Sequence, residues 1–79
     1  MRVTVTGAFG NLGQPVLEQL ILEGHQVRAF DLDTRANRKA ARRYGRDIEV
    51  VWGNLTSDED VRRAVENQEA VVHLAFVLP

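Results

Sequence analysis

Apolar residues in the first 75 positions switch repeatedly between two rhythms. Val3 and Val5 alternate with polar neighbours over residues 2 to 6, the period of a β-strand. Leu12, Val16, Leu17, Leu20 and Ile21 then recur at helical spacing, which predicts a helix over residues 11 to 23. Pro15 falls in its first turn, where a missing N–H matters least, and Gly24 is placed to end it in a left-handed cap. Residues 26 to 31 read as a second strand, with Val27, Ala29 and Phe30 as its apolar positions. A second helix follows from 34 to 44 with a thin apolar face of Ala36, Ala40, Ala41 and Tyr44, closed by Gly45. Residues 48 to 52 are continuously apolar apart from Glu49, as expected of a buried parallel strand, with Trp52 in the core.

Thr56 and Glu59 form a capping-box pattern, with Thr56 as N-cap of a third helix over 57 to 67. Its inward residues are Val61, Ala64 and Val65, and Asp58, Glu59 and Asp60 suit its N-terminus. A fourth strand is expected over 70 to 76, with His73 packed or half-buried on it. The order β-α-β-α-β-α-β, with short connections, predicts right-handed crossovers and a parallel sheet. The expected fold class is α/β, a Rossmann-type doubly wound sheet in strand order 3-2-1-4, first half only. Residues 1 to 79 thus read as one partial domain.

Composition narrows the function. The 79 residues carry 44% hydrophobic and 27% charged side chains with a net charge of −1, which fits an ordinary folded domain and not a disordered one. The absence of cysteine excludes a disulfide scaffold or a cysteine metal centre. There is no apolar run of the roughly 18 to 20 residues that spans a bilayer. No targeting segment precedes the first strand, so a cytoplasmic location and no membrane partner are expected. Six of the ten basic residues, Arg35, Arg38, Lys39, Arg42, Arg43 and Arg46, lie within twelve positions. No aromatic side chains interleave with them up to Tyr44 and the domain is not basic overall, so they read as a solvated helix face and not a nucleic-acid surface.

The candidate chemistry lies in Thr6-Gly7-Ala8-Phe9-Gly10-Asn11-Leu12-Gly13. This G-x-x-G-x-x-G run follows a strand and opens a helix. A helix N-terminus exposes unpaired N–H groups and a partial positive charge, which suits a pyrophosphate. Gly7 is suited to the turn out of the strand, Gly10 to close approach of phosphate, and Gly13 to tight packing of helix on sheet. The loop contains no lysine, which disfavours a nucleoside-triphosphate P-loop. Asp31 stands at the end of the second strand, eighteen positions beyond Gly13, near the ~20-residue spacing of a carboxylate that binds ribose hydroxyls. Its charge disfavours a 2′-phosphate and favours NAD. Asp33 is an alternative acid, and Arg35 and Arg38 leave NADP open.

On these residues, together with Gly24-His25-Gln26-Val27, Gly53-Asn54-Leu55 and Val72-His73-Leu74-Ala75, the chain resembles the N-terminal part of an extended short-chain dehydrogenase/reductase, of the NAD-dependent epimerase/dehydratase family. The resemblance implies that Phe9, Gly10, Asn11 and Leu12 wrap the pyrophosphate, in a cofactor-binding loop that includes Gly7 and Gly13, and that Asp31 holds the adenosine ribose. Arg35 falls at the adenosine end. Asn54 and Leu55 match the pair that flanks adenine, with Asn54 departing from the usual acid. Leu74, Ala75 and Phe76 match the segment beside the nicotinamide ribose. The family's catalytic pair resembles Tyr-x-x-x-Lys; the one tyrosine, Tyr44, is followed four residues on by Ile48. The chain is therefore expected to bind NAD as part of a longer enzyme acting on a nucleotide sugar or similar carbonyl or hydroxyl compound, and not to catalyse by itself. A non-catalytic dinucleotide sensor on the same fold, and a nucleic-acid module using the basic helix, are the competing readings. Self-association through an exposed sheet face or edge is also expected.

Overall fold

A computed structural model describes residues 1–75; residues 76–79, Phe76 among them, lie outside the described part. Strand β1 (Arg2–Thr6) leads through the glycine loop to helix α1 (Gly13–Leu22) and strand β2 (Gln26–Asp31). Helix α2 (Arg35–Ala41) and a 3-10 turn (Gly45–Asp47) precede strand β3 (Ile48–Trp52). Helix α3 (Asp58–Val65) and strand β4 (Ala70–His73) complete it. The four strands form one parallel sheet in order β3-β2-β1-β4, as the pattern predicts.

Alternation along the strands sorts the helices onto two faces. Val5, Val27, Ala29 and Ile48 point to one face, where they pack with Leu17 of α1, Tyr44 and the half-buried Ala40 and Ala41 of α2. Thr4 and Arg28, paired in register, point to the other face. There both bond the carbonyl of Ala64 in α3. Thr4 is fully buried and donates to that carbonyl at 2.7 Å, so its hydroxyl is not left unsatisfied.

The structure corrects several boundaries. Helix α1 begins at Gly13, because the preceding residues form a turn in which the Gly10 N–H bonds Gly7. Leu12 is therefore not part of the buried stripe and is 72% exposed. Helix α2 stops at Ala41, and Tyr44 reaches the core from the turn behind it. Helix α3 is capped by Ser57, whose hydroxyl accepts the Asp60 N–H, and not by Thr56. Thr56 instead bonds Asn54 through both its N–H and its hydroxyl. β3 is an edge strand and only half-buried over most of its length, although its apolar run resembles a central one. β4 ends at His73, because the next two N–H groups turn onto the side-chain oxygen of Thr6. His73 itself is exposed.

Candidate functional site

The C-terminal ends of all four strands open into one cleft of about 520 Å³. Its floor is the glycine loop. Gly7 adopts φ +65°, and a Cβ there would lie 2.9 Å from the Ala75 nitrogen. A Cβ on Gly13 would collide with the carbonyls of Gly7 and Ala8. Gly10 is different. It has no left-handed φ, and a Cβ would make only a 3.4 Å contact with the Gly7 carbonyl. The fold does not require glycine at position 10, yet Gly10 lines the cleft.

Helix α1 points its N-terminus at this cleft and lacks the usual neutralisation. It has no side-chain cap and no acid in its first turn, whereas Thr34 caps α2 and Ser57 caps α3. Among the described residues, the N–H groups of Asn11, Leu12 and Gly13 find no acceptor within the chain. Three free donors and the positive end of a helix suit an anion such as a diphosphate.

Asp31 faces the same cleft from the end of β2. One carboxylate oxygen accepts the Phe9 N–H at 3.0 Å and the other accepts the Leu32 N–H at 2.8 Å. The carboxylate is thus oriented by backbone and keeps lone pairs for further donors such as a vicinal diol. Among the described lining residues it is the one ionisable side chain. Asp33, the alternative acid, turns away to pair with Arg38, which donates two hydrogen bonds to it. That pairing holds the Asp33 carboxyl below its usual range and raises Arg38. The Arg38 guanidinium also stacks over Trp52, 5.4 Å from the ring centre.

Of the residues picked from sequence, Gly7, Gly10, Asn11, Leu12, Gly13, Asp31, Asn54, Leu55, Leu74 and Ala75 line the cleft together. Phe9 does not. Its ring is buried, 5.6 Å from Trp52 and 6.4 Å from Tyr44, and only its backbone faces Asp31. Arg35 is exposed and outside the cleft, and Phe76 lies outside the described residues. Phe30, Leu32, Asn37 and Gly53 also line the cleft and were not picked. Gly53 had a sequence signal, since it ends β3; a Cβ there would press to 2.9 Å on both Asp60 and Phe30.

The wall beside β4 is fixed through Thr6. Its hydroxyl oxygen accepts the N–H groups of Leu74 and Ala75, so its own proton goes to Nδ1 of His73 at 2.7 Å. Tyr44 is remote from this chemistry: burial pushes its hydroxyl up, and it reaches only Gln14 at 3.4 Å.

A parallel sheet in order 3-2-1-4, with an uncapped glycine-rich helix start beside an acid at the end of β2, defines a Rossmann-type nucleotide-binding unit. More specifically, the chain belongs to the NAD dependent epimerase/dehydratase family, whose model matches residues 3–78. It is 38% identical over 72 residues, 91% of this chain, to the photosystem II assembly factor Ycf39 of Synechocystis. The match takes in 21% of that protein. A short-chain dehydrogenase/reductase superfamily protein from Agrobacterium tumefaciens, crystallised with NAD, superposes with a TM-score of 0.77 at 29% identity. That match covers 100% of this chain and 21% of the other. The UDP-glucose 4-epimerase of Thermus thermophilus, complexed with NAD, gives 0.79 at 28% identity, over 98% of this chain and 24% of the other. The chain spans about a fifth to a quarter of the length of the curated relatives it matches. Among the described residues, no helix is long and apolar enough to cross a membrane, and no cluster of three metal-ligating side chains occurs.

Proposed function

We propose that this chain binds NAD in the cleft, as the cofactor-binding part of a longer oxidoreductase, epimerase or dehydratase. One observation carries the reading: the free N–H groups at the start of α1 and the backbone-oriented Asp31 carboxylate face a single cleft. Asn11, Leu12 and Gly13 would hold the diphosphate, and Asp31 the hydroxyls of the adenosine ribose. When bound, the nicotinamide supplies hydride transfer. This chain's residues bind and orient it, with Leu74 and Ala75 held by Thr6 as one wall.

The local charges favour NAD over NADP. Asp31 repels a 2′-phosphate, Arg38 is engaged by Asp33, and Arg35 stands outside the cleft. The substrate of the longer protein is a nucleotide sugar or a related carbonyl or hydroxyl compound. The likeness to a UDP-glucose 4-epimerase supports this choice.

Calorimetric titration with NAD and NADP tests the cofactor assignment. NAD is expected to bind more tightly than NADP. Asp31→Ala removes a charge-assisted hydrogen-bond acceptor, worth about 1.5–3 kcal/mol, so NAD binding should weaken at least about tenfold. The gap between NAD and NADP should also narrow. A chain that is folded by circular dichroism and binds neither dinucleotide would overturn the proposal.

A further inference from the structure

The basic residues on and just beyond α2 fall into two groups. Arg38 pairs with Asp33 and stacks over Trp52, and Arg43 donates to the Gln14 side chain at 3.1 Å. The others are not used by the chain. Arg35, Lys39, Arg42 and Arg46 are all exposed, and among the described residues their side chains make no ion pair and no hydrogen bond. Helical spacing aligns three of them. Arg35, Lys39 and Arg42 stand at i, i+4 and i+7, on one face of α2 and its C-cap, over about 10 Å. Arg46 follows in the 3-10 turn.

This stripe works against the helix that carries it. Like charges at i, i+3 and i, i+4 repel one another. Arg35 puts a cation in the first turn, at the positive end of the helix, where no acid offsets it. No residue of α2 is fully buried, so packing returns little. The chain has acids to spare: among the described residues Asp58, Glu59 and Glu66 are exposed and make no ion pair. They belong to α3 and its C-cap, on the other face of the sheet. A local rule broken with no gain to the fold points to a partner outside it.

We infer that the outer face of α2 docks a carboxylate-rich segment of a partner protein. Three of the four free cations are arginines, whose planar forks match carboxylates in two parallel hydrogen bonds. Clusters of arginine are a recurring means of holding acidic segments. Nucleic acid fits this face less well. No free aromatic ring stands there for a base to stack on, because Tyr44 is buried and Trp52 packs with Phe9 and Arg38. The net charge of −1 repels a long polyanion, whereas a short acidic segment meets only the stripe. Arg35, Lys39, Arg42 and Arg46 do not line the cofactor cleft, so the inference stands apart from the cofactor reading.

The test titrates the full chain into a fluorescently labelled oligoglutamate peptide and follows anisotropy at low and high salt. Binding is expected at low salt and should weaken as salt rises. Combining Arg35→Gln, Lys39→Gln and Arg42→Gln should weaken it about tenfold, the scale of three exposed ion pairs. Arg62→Gln removes an exposed cation from α3 and should leave binding unchanged. The triple variant should melt at or above the wild-type temperature, because repulsion within α2 is relieved. A lower melting temperature would show that the stripe serves the fold and would overturn the inference. It is also overturned by a wild type that does not bind the peptide at low salt, or by an equal loss of binding in Arg62→Gln. A single-stranded oligonucleotide of equal charge that binds as tightly as the peptide overturns the choice of an acidic protein segment.

Discussion

The three loop glycines answer to different demands. Gly7 and Gly13 are required by the chain itself, one by its left-handed φ and its contact with Ala75, the other by the carbonyls packed against it. Nothing in the fold asks the same of Gly10. A glycine kept where an alanine would fit costs conformational entropy in the unfolded chain, of order 0.4–1 kcal/mol. Gly10→Ala is therefore expected to leave stability unchanged or raise it by up to about 1 kcal/mol. The same change should weaken dinucleotide binding, because its methyl group intrudes on the cleft. Gly13→Ala should destabilise the chain by more than about 1 kcal/mol, since backbone must move. Urea unfolding of both variants, with NAD titration of the first, checks this pair. A destabilised Gly10→Ala would show that position 10 serves the fold.

At the level of elements, Arg28 does more than its place on a strand suggests. Its guanidinium donates through Nη1 to the carbonyls of Arg63, Ala64 and Glu66, and so caps the C-terminal end of α3 from the sheet below. Nε bonds Glu49 at 2.8 Å. The Arg28 side chain is 13% exposed and that of Glu49 61%, so the two halves of this arrangement differ in worth. Arg28→Met removes charge-assisted hydrogen bonds from a largely buried guanidinium to the end of α3 and is expected to cost about 1–3 kcal/mol. Glu49→Gln removes an exposed charge and should cost under about 1 kcal/mol. Equilibrium denaturation of the two variants separates these roles, and equal losses would contradict them. Arg28 was not legible in the sequence, because a lone arginine between Val27 and Ala29 reads as the solvent-facing position of a strand. The strands and helices were legible because apolar period and glycine placement agree, as at Leu17 and Gly24. Their ends were less so. Ser57 displaced Thr56 as cap because Thr56 was drawn to Asn54, and β3 resembled a buried strand while lying at an edge. The cleft followed from Gly7, Gly13 and Asp31, whose chemistry is local. The burial of the Phe9 ring and the place of Asn37 in the cleft were not legible, because which way a side chain turns is decided by tertiary packing.

Across the whole molecule, three carboxylates reinforce the joins between neighbouring segments. Asp33 holds α2 to the end of β2 through Arg38. Asp60 bonds Arg63 on its own helix and reaches across to the Asn54 N–H, joining α3 to the turn after β3. Glu69 accepts the Arg2 N–H at the edge of β1. Each is held below the ordinary carboxylate range: Asp33 first by its hydrogen bond from Arg38, Asp60 first by that from Arg63, and Glu69 first by the backbone N–H of Arg2. A carboxyl whose folded value is depressed binds fewer protons in the folded state than in the unfolded chain. Its contribution is present above the unfolded value, near 4, and is lost as pH falls through the lower folded one. The melting temperature should therefore drop as pH is lowered from about 4 towards 2. Asp33 and Glu69 are exposed and Asp60 is half-buried, so the drop should shrink in high salt. Asp60→Asn removes one of them and should flatten the acid limb of the melting curve relative to wild type, while its loss at neutral pH exceeds its loss at pH 2. Melting both proteins across this range decides the matter. Parallel acid limbs would mean that Asp60 contributes nothing to the pH dependence.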